Sequence, residues 1–295
     1  MTTLDRVAEF ALRPVPARMA GYARVAVGLA AVGAAFDTGI ILRRVLVDGI
    51  LPLPLAPGLP VLPAAWLNGL LALWVAAGVA FLVGWRTTAA GVVLAAVMAY
   101  VTLMSQQSYS NHLYLLVWEV GLLTAAGAGA AVSLDARGSA AGTVRAGPVF
   151  LLKVQLTVLY GFAAVTKINP EYLSGAVLAG AMRWDGPLAL PAGLRTPALL
   201  SLAAFASVAA EALLAAVLWS PRWRKAGAAL GVALHLGMAA MIPFSELSDI
   251  LVFATSAIGL YPLFFDDRPA SGGGKKPASA SYTFWSRLSR STKPR

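Results

Sequence analysis

Lys167 stands where an apolar helix must end. Residues 154–166 carry no charge, and Ile168-Asn169-Pro170 follows the lysine directly. Proline disfavours helical geometry in the residue before it, so the helix stops at about Lys167. An ammonium group in that place has two uses. It can snorkel along its apolar stem to the membrane surface. Held away from water, it gives up its charge more easily and becomes a base. A snorkelling lysine needs no polar company, yet this one has Gln155, Tyr160, Asn169 and Tyr172 in the same stretch.

Four more groups could do chemistry at membrane depth. His112 and His235 are the only histidines, and each falls inside or at the edge of an apolar run. A membrane histidine serves equally as an interhelical hydrogen-bond partner or as a functional group. Glu211 lies in the middle of a run, where an ionisable group is costly without a partner or a cavity. Its plain structural reading is a buried pair with an arginine or a histidine, His235 among them. Glu119 follows His112 at i,i+7, so both face one way on a helix and read structurally as a proton-sharing pair.

The chain has 295 residues, of which 59% are hydrophobic and 12% charged. Soluble domains carry about 25% charge. Several runs reach the roughly 20 apolar residues a bilayer crossing needs. These properties predict an all-α fold, a polytopic transmembrane helical bundle of about eight spans with no separate soluble domain. The absence of cysteine excludes disulfides, thiolate catalysis and iron–sulfur clusters. No phosphate loop, H-E-x-x-H or G-x-S-x-G occurs. No metal site is expected either, because only a mixed His/carboxylate set exists and its spacing is uncharacteristic. The net charge of +10 points to the lipid bilayer rather than to nucleic acid, since the basic residues cluster in short loops and the tail. Arginine outnumbers lysine and alanine is abundant, the balance expected of a bacterial source. Charges scattered through the first turns argue against a cleavable signal peptide.

The elements that must position these groups follow from hydropathy and from breakers. Residues 1–19 read as an amphipathic N-terminal segment, 20–265 as the transmembrane domain, and 266–295 as a disordered, basic cytoplasmic tail. Spans are expected at about 20–37, 64–84, 87–104, 111–133, 147–166, 198–219, 225–242 and 247–265, with Asn111 as the N-cap of the fourth. A short interfacial helix is expected over 172–184. Arg24 is expected at headgroup depth by snorkelling. With both termini cytoplasmic, sixteen basic residues lie on the cytoplasmic side and five opposite, as the positive-inside rule asks. That places a multi-pass protein in the cell (inner) membrane. His112 and Lys167 then emerge on the extracytoplasmic side. His235 lies roughly 15 Å from the inner face, and Glu211 roughly 20 Å from the outer one. His112, Lys167 and His235 are thus expected to line one cavity with Glu211 at its floor.

Spelled as Q-x4-Y-x6-K-x-N-x2-Y-x2-G, residues 155–175 resemble the centre of the horizontally transferred transmembrane (HTTM) domain. That domain is the membrane part of vitamin K-dependent γ-glutamyl carboxylase and its bacterial relatives. Arg24-x3-Gly28 and Asn111-His112-x-Tyr114-Leu115 are similar to further signatures of the family, and so are Glu211, the basic turn 221–224 and His235, in that order. The likeness covers about 24–265. It implies that Lys167 is a base acting on a reduced, vitamin K-like quinone, and that His112 positions the reacting oxygen. It implies that His235, Asn111, Tyr160 and Glu211 contact the cofactor. Departures are Thr166 where the carboxylase has a second lysine, and Tyr172 where a tryptophan is usual. The carboxylase's large extracytoplasmic domain has no counterpart here, so a secreted peptide substrate or a separate extracytoplasmic subunit is the expected partner. A bacterial protein that matures a peptide toxin resembles the same domain. A non-catalytic membrane factor for maturation or export of a secreted peptide is therefore the alternative reading.

Overall fold

The computed structural model describes residues 3–49, 51, 56, 58–61, 63–140, 142–182, 191–242 and 247–265. The expected tail at 266–295, part of the interfacial helix at 183–184, and several residues of the proline-rich stretch after the first span lie outside these. Eight long helices form the bundle: α2 (Arg18–Asp48), α3 (Leu67–Val83), α4 (Thr87–Met104), α5 (Asn111–Ala126), α6 (Ala146–Thr166), α9 (Pro197–Val217), α10 (Arg224–Met241) and α11 (Leu247–Gly259). Shorter helices are α1 (Thr3–Leu12), α7 (Pro170–Leu173) and α8 (Ala176–Ala181). Among the described residues, six stretches are long and apolar enough to cross a bilayer: Arg18–Val47, Ala64–Val83, Thr87–Met104, Ala146–Thr166, Pro197–Val217 and Leu247–Phe264. This is an integral membrane protein. Helix α5 is short at 16 residues, and α10 opens on Arg224-Lys225, so both fall outside that measure.

Helix contacts run in a circuit, α2 to α3, α4, α5, α6, α9, α10, α11 and back to α2, and α2 also packs across onto α5. Small residues let the backbones approach. Gly28 is one case, since a Cβ there would sit 2.8 Å from the Leu82 Cα. Arg24 is one turn earlier on the same face. It is 0% exposed and does not snorkel. Its guanidinium donates to the carbonyls of Phe81, Leu82 and Val132. Two of these belong to the last turn of α3, where carbonyls lack helical partners and the dipole is negative. The Arg24-x3-Gly28 pattern is therefore a helix-packing device.

Other boundaries moved for local reasons. Helix α2 continues past residue 37 to Asp48, because Asp37 finds the Ser248 hydroxyl at 2.9 Å and Arg43 finds Asn68 at 2.8 Å. Ser110, not Asn111, caps α5, its hydroxyl accepting from the Leu113 N–H. The same helix stops at Ala126, short of residue 133, because Gly127 takes a left-handed conformation. The stretch after Lys167 forms two short helices instead of one, broken at Ser174-Gly175. Two three-residue strands, β1 (Pro14–Pro16) and β2 (Thr143–Arg145), pair antiparallel. They hold α1 beside α6, where Phe10 meets Phe150 edge-on.

Candidate functional site

Helix α6 ends as expected, and the ending aims its lysine. The Lys167 N–H bonds back to the Ala164 carbonyl at 3.3 Å. Asn169 then straps the break. Its Nδ2 donates to the Thr166 carbonyl at 2.9 Å, and its Oδ1 accepts from the Tyr172 N–H at 2.8 Å as the cap of α7. Pro170 fills the first helical position of α7, where its missing N–H costs nothing. The chain then runs back along α9: Tyr172 OH meets Ser207 Oγ at 2.9 Å, and the Ser201 hydroxyl donates to the Leu173 carbonyl at 2.6 Å. Gly175 lies against Leu200. Residues 169–175 thus lie along the first half of α9.

This turn delivers the Lys167 ammonium to the Glu211 carboxylate of α9, with Nζ donating to Oε1. The Tyr172 ring lies under the ammonium at 5.6 Å. Glu211 is 4% exposed. The partner foreseen among arginines and histidines is therefore a lysine 44 positions earlier in the chain. Two turns deeper on α6, Tyr160 OH meets His235 Nε2 of α10 at 2.8 Å and Tyr261 OH at 2.5 Å. Tyr160 and Lys167 share α6, and α9, which carries Glu211, packs on both α6 and α10, so the two groups form neighbouring polar contacts among α6, α9, α10 and the turn after α11. Tyr261 escaped the sequence reading, because one more aromatic near a helix end resembles an interfacial anchor. The signal was in its partner: a Cβ at Gly231 would overlap the Tyr261 hydroxyl, so α10 is notched to admit it.

Two buried atoms in this cluster have no hydrogen-bond partner among the described residues, Glu211 Oε2 and His235 Nδ1. An unsatisfied buried polar atom costs on the order of 1–3 kcal/mol. A polar molecule bridging both would remove that cost. Gln155 lies apart from the cluster, its Nε2 donating to the Leu115 carbonyl of α5 at 3.3 Å.

His112 has a different set of partners. It opens α5 and places Nε2 3.4 Å from Asp249 Oδ1 of α11. Asp37 of α2 completes the group, one ligand-type atom from each of the three residues lying within 4.8 Å of the others. Asn111 is exposed beside it. Glu119, two turns further along α5, is buried beside Ser256 of α11 rather than paired with His112, and its Oε2 has no partner among the described residues. Of the expected site residues, Tyr160, Lys167, Glu211 and His235 come together, while His112 belongs to this second cluster and Asn111 stands exposed next to it in the chain. A cleft of about 370 Å³ between Leu12, Thr88, Thr124 and Arg145 opens at the opposite ends of the helices and shares no residue with either cluster.

Comparison with known proteins agrees with the extent of the bundle. A family model described as the HTTM domain matches residues 12–267. No match was found among curated proteins, and none among solved structures.

Proposed function

On the premise that the chain belongs to the HTTM domain family, we propose a membrane enzyme of carboxylase-like type, in which Lys167 acts as base towards a reduced, vitamin K-like quinone. The observation that carries this reading is the Lys167–Glu211 pair with its two unpartnered neighbours, Glu211 Oε2 and His235 Nδ1. A reduced quinone has two hydroxyls, each able to donate and to accept, which suits one carboxylate oxygen and one ring nitrogen. It is a lipid-soluble molecule, and α6 and α9 turn Phe162, Val165, Leu202 and Phe205 outwards, so entry from the bilayer needs no aqueous channel. When bound, it would supply the acidic hydroxyl and the reducing power that carboxylase-like chemistry uses.

The chain's own part is to hold and move a proton. Between two partners in direct contact, a proton can pass without leaving the pair. Passing a proton from Nζ to Oε1 leaves a lone pair on Lys167 and stores the proton on Glu211. Glu211 is in this reading a proton carrier as well as a counterion. Tyr160, anchored by Tyr261, fixes the His235 ring through Nε2, so that Nδ1 would be the atom left for the ligand. Water is kept out by the packing around His235, which is 1% exposed and has Phe253 edge-on at 5.4 Å.

The decisive experiment is Lys167→Arg in native membranes, with quinol consumption followed chromatographically. Arginine keeps the charge and the reach but holds its proton. Turnover should fall by about 100-fold or more at unchanged membrane abundance, the usual range for removal of a general base. Turnover equal to wild type would leave the pair as a clamp between α6 and α9. Absence of quinol consumption by the wild type itself would make the chain a non-catalytic factor for maturation or export of a secreted peptide, the second reading that the same ion pair supports. We further place the protein in the cell (inner) membrane with both termini cytoplasmic, on the sixteen-to-five asymmetry of basic residues. Reporter fusions after Asn111 should then read outside and fusions after Arg86 inside; the reverse would invert the site's orientation. A secreted peptide or an extracytoplasmic subunit would approach from that outer side.

A further inference from the structure

We propose that Asp37, His112 and Asp249 form a binding site for a divalent transition-metal ion, Zn²⁺ first in preference. The three residues come from α2, α5 and α11, and their ligand-type atoms all lie within 4.8 Å of one another. His112 Nε2 and Asp249 Oδ1 are 3.4 Å apart, the edge of a tetrahedron whose centre-to-corner distance is about 2.1 Å, typical of zinc bound by nitrogen and oxygen. The supports are in place. Ser248 donates to Asp37 Oδ1 at 2.9 Å, the kind of outer contact that orients a ligating carboxylate. His112 stands in the first turn of α5, held by the Ser110 cap.

Charge argues the same way. Two carboxylates converging on one imidazole repel each other unless a proton or a cation is shared between them. A divalent ion with two carboxylates and a neutral imidazole sums to zero, a balance suited to the edge of a low-dielectric slab. A mixed nitrogen and oxygen donor set suits Zn²⁺ or Mn²⁺ better than Mg²⁺ or Ca²⁺, which take oxygen alone. Three protein ligands leave a fourth position for water. All three residues are partly exposed, so the ion exchanges with the aqueous phase. This site is separate from the Lys167 cluster and does not rest on its chemistry. The sequence offers no zinc motif here because the ligands are spread over more than 200 positions, and only the packing of α2, α5 and α11 joins them.

The test uses the full chain purified in detergent, stripped with chelator, then titrated with ZnCl₂ or MnCl₂ while bound metal and thermal midpoint are measured. Wild type should hold one equivalent of Zn²⁺ and melt higher with it. His112→Gln and Asp249→Asn should each weaken binding at least tenfold, and Asp37→Asn serves if either fails to give a monodisperse protein. His235→Gln, which removes the other histidine, should keep the full equivalent. Failure of wild type to retain either metal overturns the proposal. So does equal retention by wild type and all three ligand variants, which marks adventitious binding, or loss of the metal in His235→Gln alone.

Discussion

Arg24 and Lys167 are both cations set among the helices, and their surroundings differ in kind. The guanidinium of Arg24 is 0% exposed and faces neutral carbonyls, those of Phe81, Leu82 and Val132. Only its Nε lacks a partner among the described residues. It closes the end of α3 and pins the chain beyond α5 against it. Lys167 faces a single carboxylate, its side chain is 26% exposed, and the other oxygen of that carboxylate is unpartnered. A cation whose hydrogen-bond acceptors are neutral backbone carbonyls, with a side chain that keeps its proton, can only hold structure. A cation sharing an incompletely satisfied carboxylate can bind and exchange protons. The comparison teaches that the kind of acceptor, neutral carbonyls against a carboxylate with a second oxygen to spare, decides what each cation can do.

The largest effect should come from Arg24. Arg24→Met leaves three carbonyls facing an apolar side chain, each unsatisfied group costing about 1–3 kcal/mol, together enough to cost most of the folded yield in detergent. Arg24→Lys should recover little, because one ammonium cannot fork between α3 and Val132. A folded Arg24→Met protein with an unchanged thermal midpoint would break the contrast.

A smaller effect is expected at the other cation. Lys167→Met strands the Glu211 carboxylate and should cost on the order of 1–3 kcal/mol, at the low end because the lysine is partly solvated. Adding Glu211→Leu should restore most of that loss, since replacing a whole buried pair by apolar residues is often neutral. If thermal unfolding finds the double variant no better than the single one, the pair is a structural lock like Arg24, and the distinction drawn above fails.

The smallest effect sharpens the structural side. Asp135 accepts from the Arg86 N–H, the Thr87 N–H and the Thr87 hydroxyl, capping α4 from a distant loop. Partial burial alone would raise its carboxyl, but these hydrogen bonds and the Arg24 charge hold it below the usual carboxylate range. Its contribution is therefore fully present above about pH 4, the unfolded value, and is lost as pH falls through the lower folded value. Asp135→Asn should cost about 1 kcal/mol, the scale of a helix cap. It should also flatten the acid limb of a stability-against-pH curve. An acid limb identical to wild type would take Asp135 out of the Arg24 assembly.

How much was legible beforehand follows from the same physics. Hydropathy and breakers are sums over neighbouring residues, so the helical bundle and the stop at Lys167 could be read from the chain alone. The family likeness was legible as well, because Arg24-x3-Gly28, Asn111-His112 and Lys167-x-Asn169 are local spellings. Contacts between helices are another matter. A membrane helix that is apolar on every side does not mark which face turns inward, and one residue's difference in rotation sends a side chain about 100° elsewhere. Only packing could decide that Lys167 meets Glu211, that Tyr261 enters the notch at Gly231, and that Arg24 is buried instead of snorkelling. It also decided that His112 leaves the Lys167 cluster for Asp37 and Asp249, because the α2–α5–α11 contact sets its neighbours and no local pattern encodes that contact.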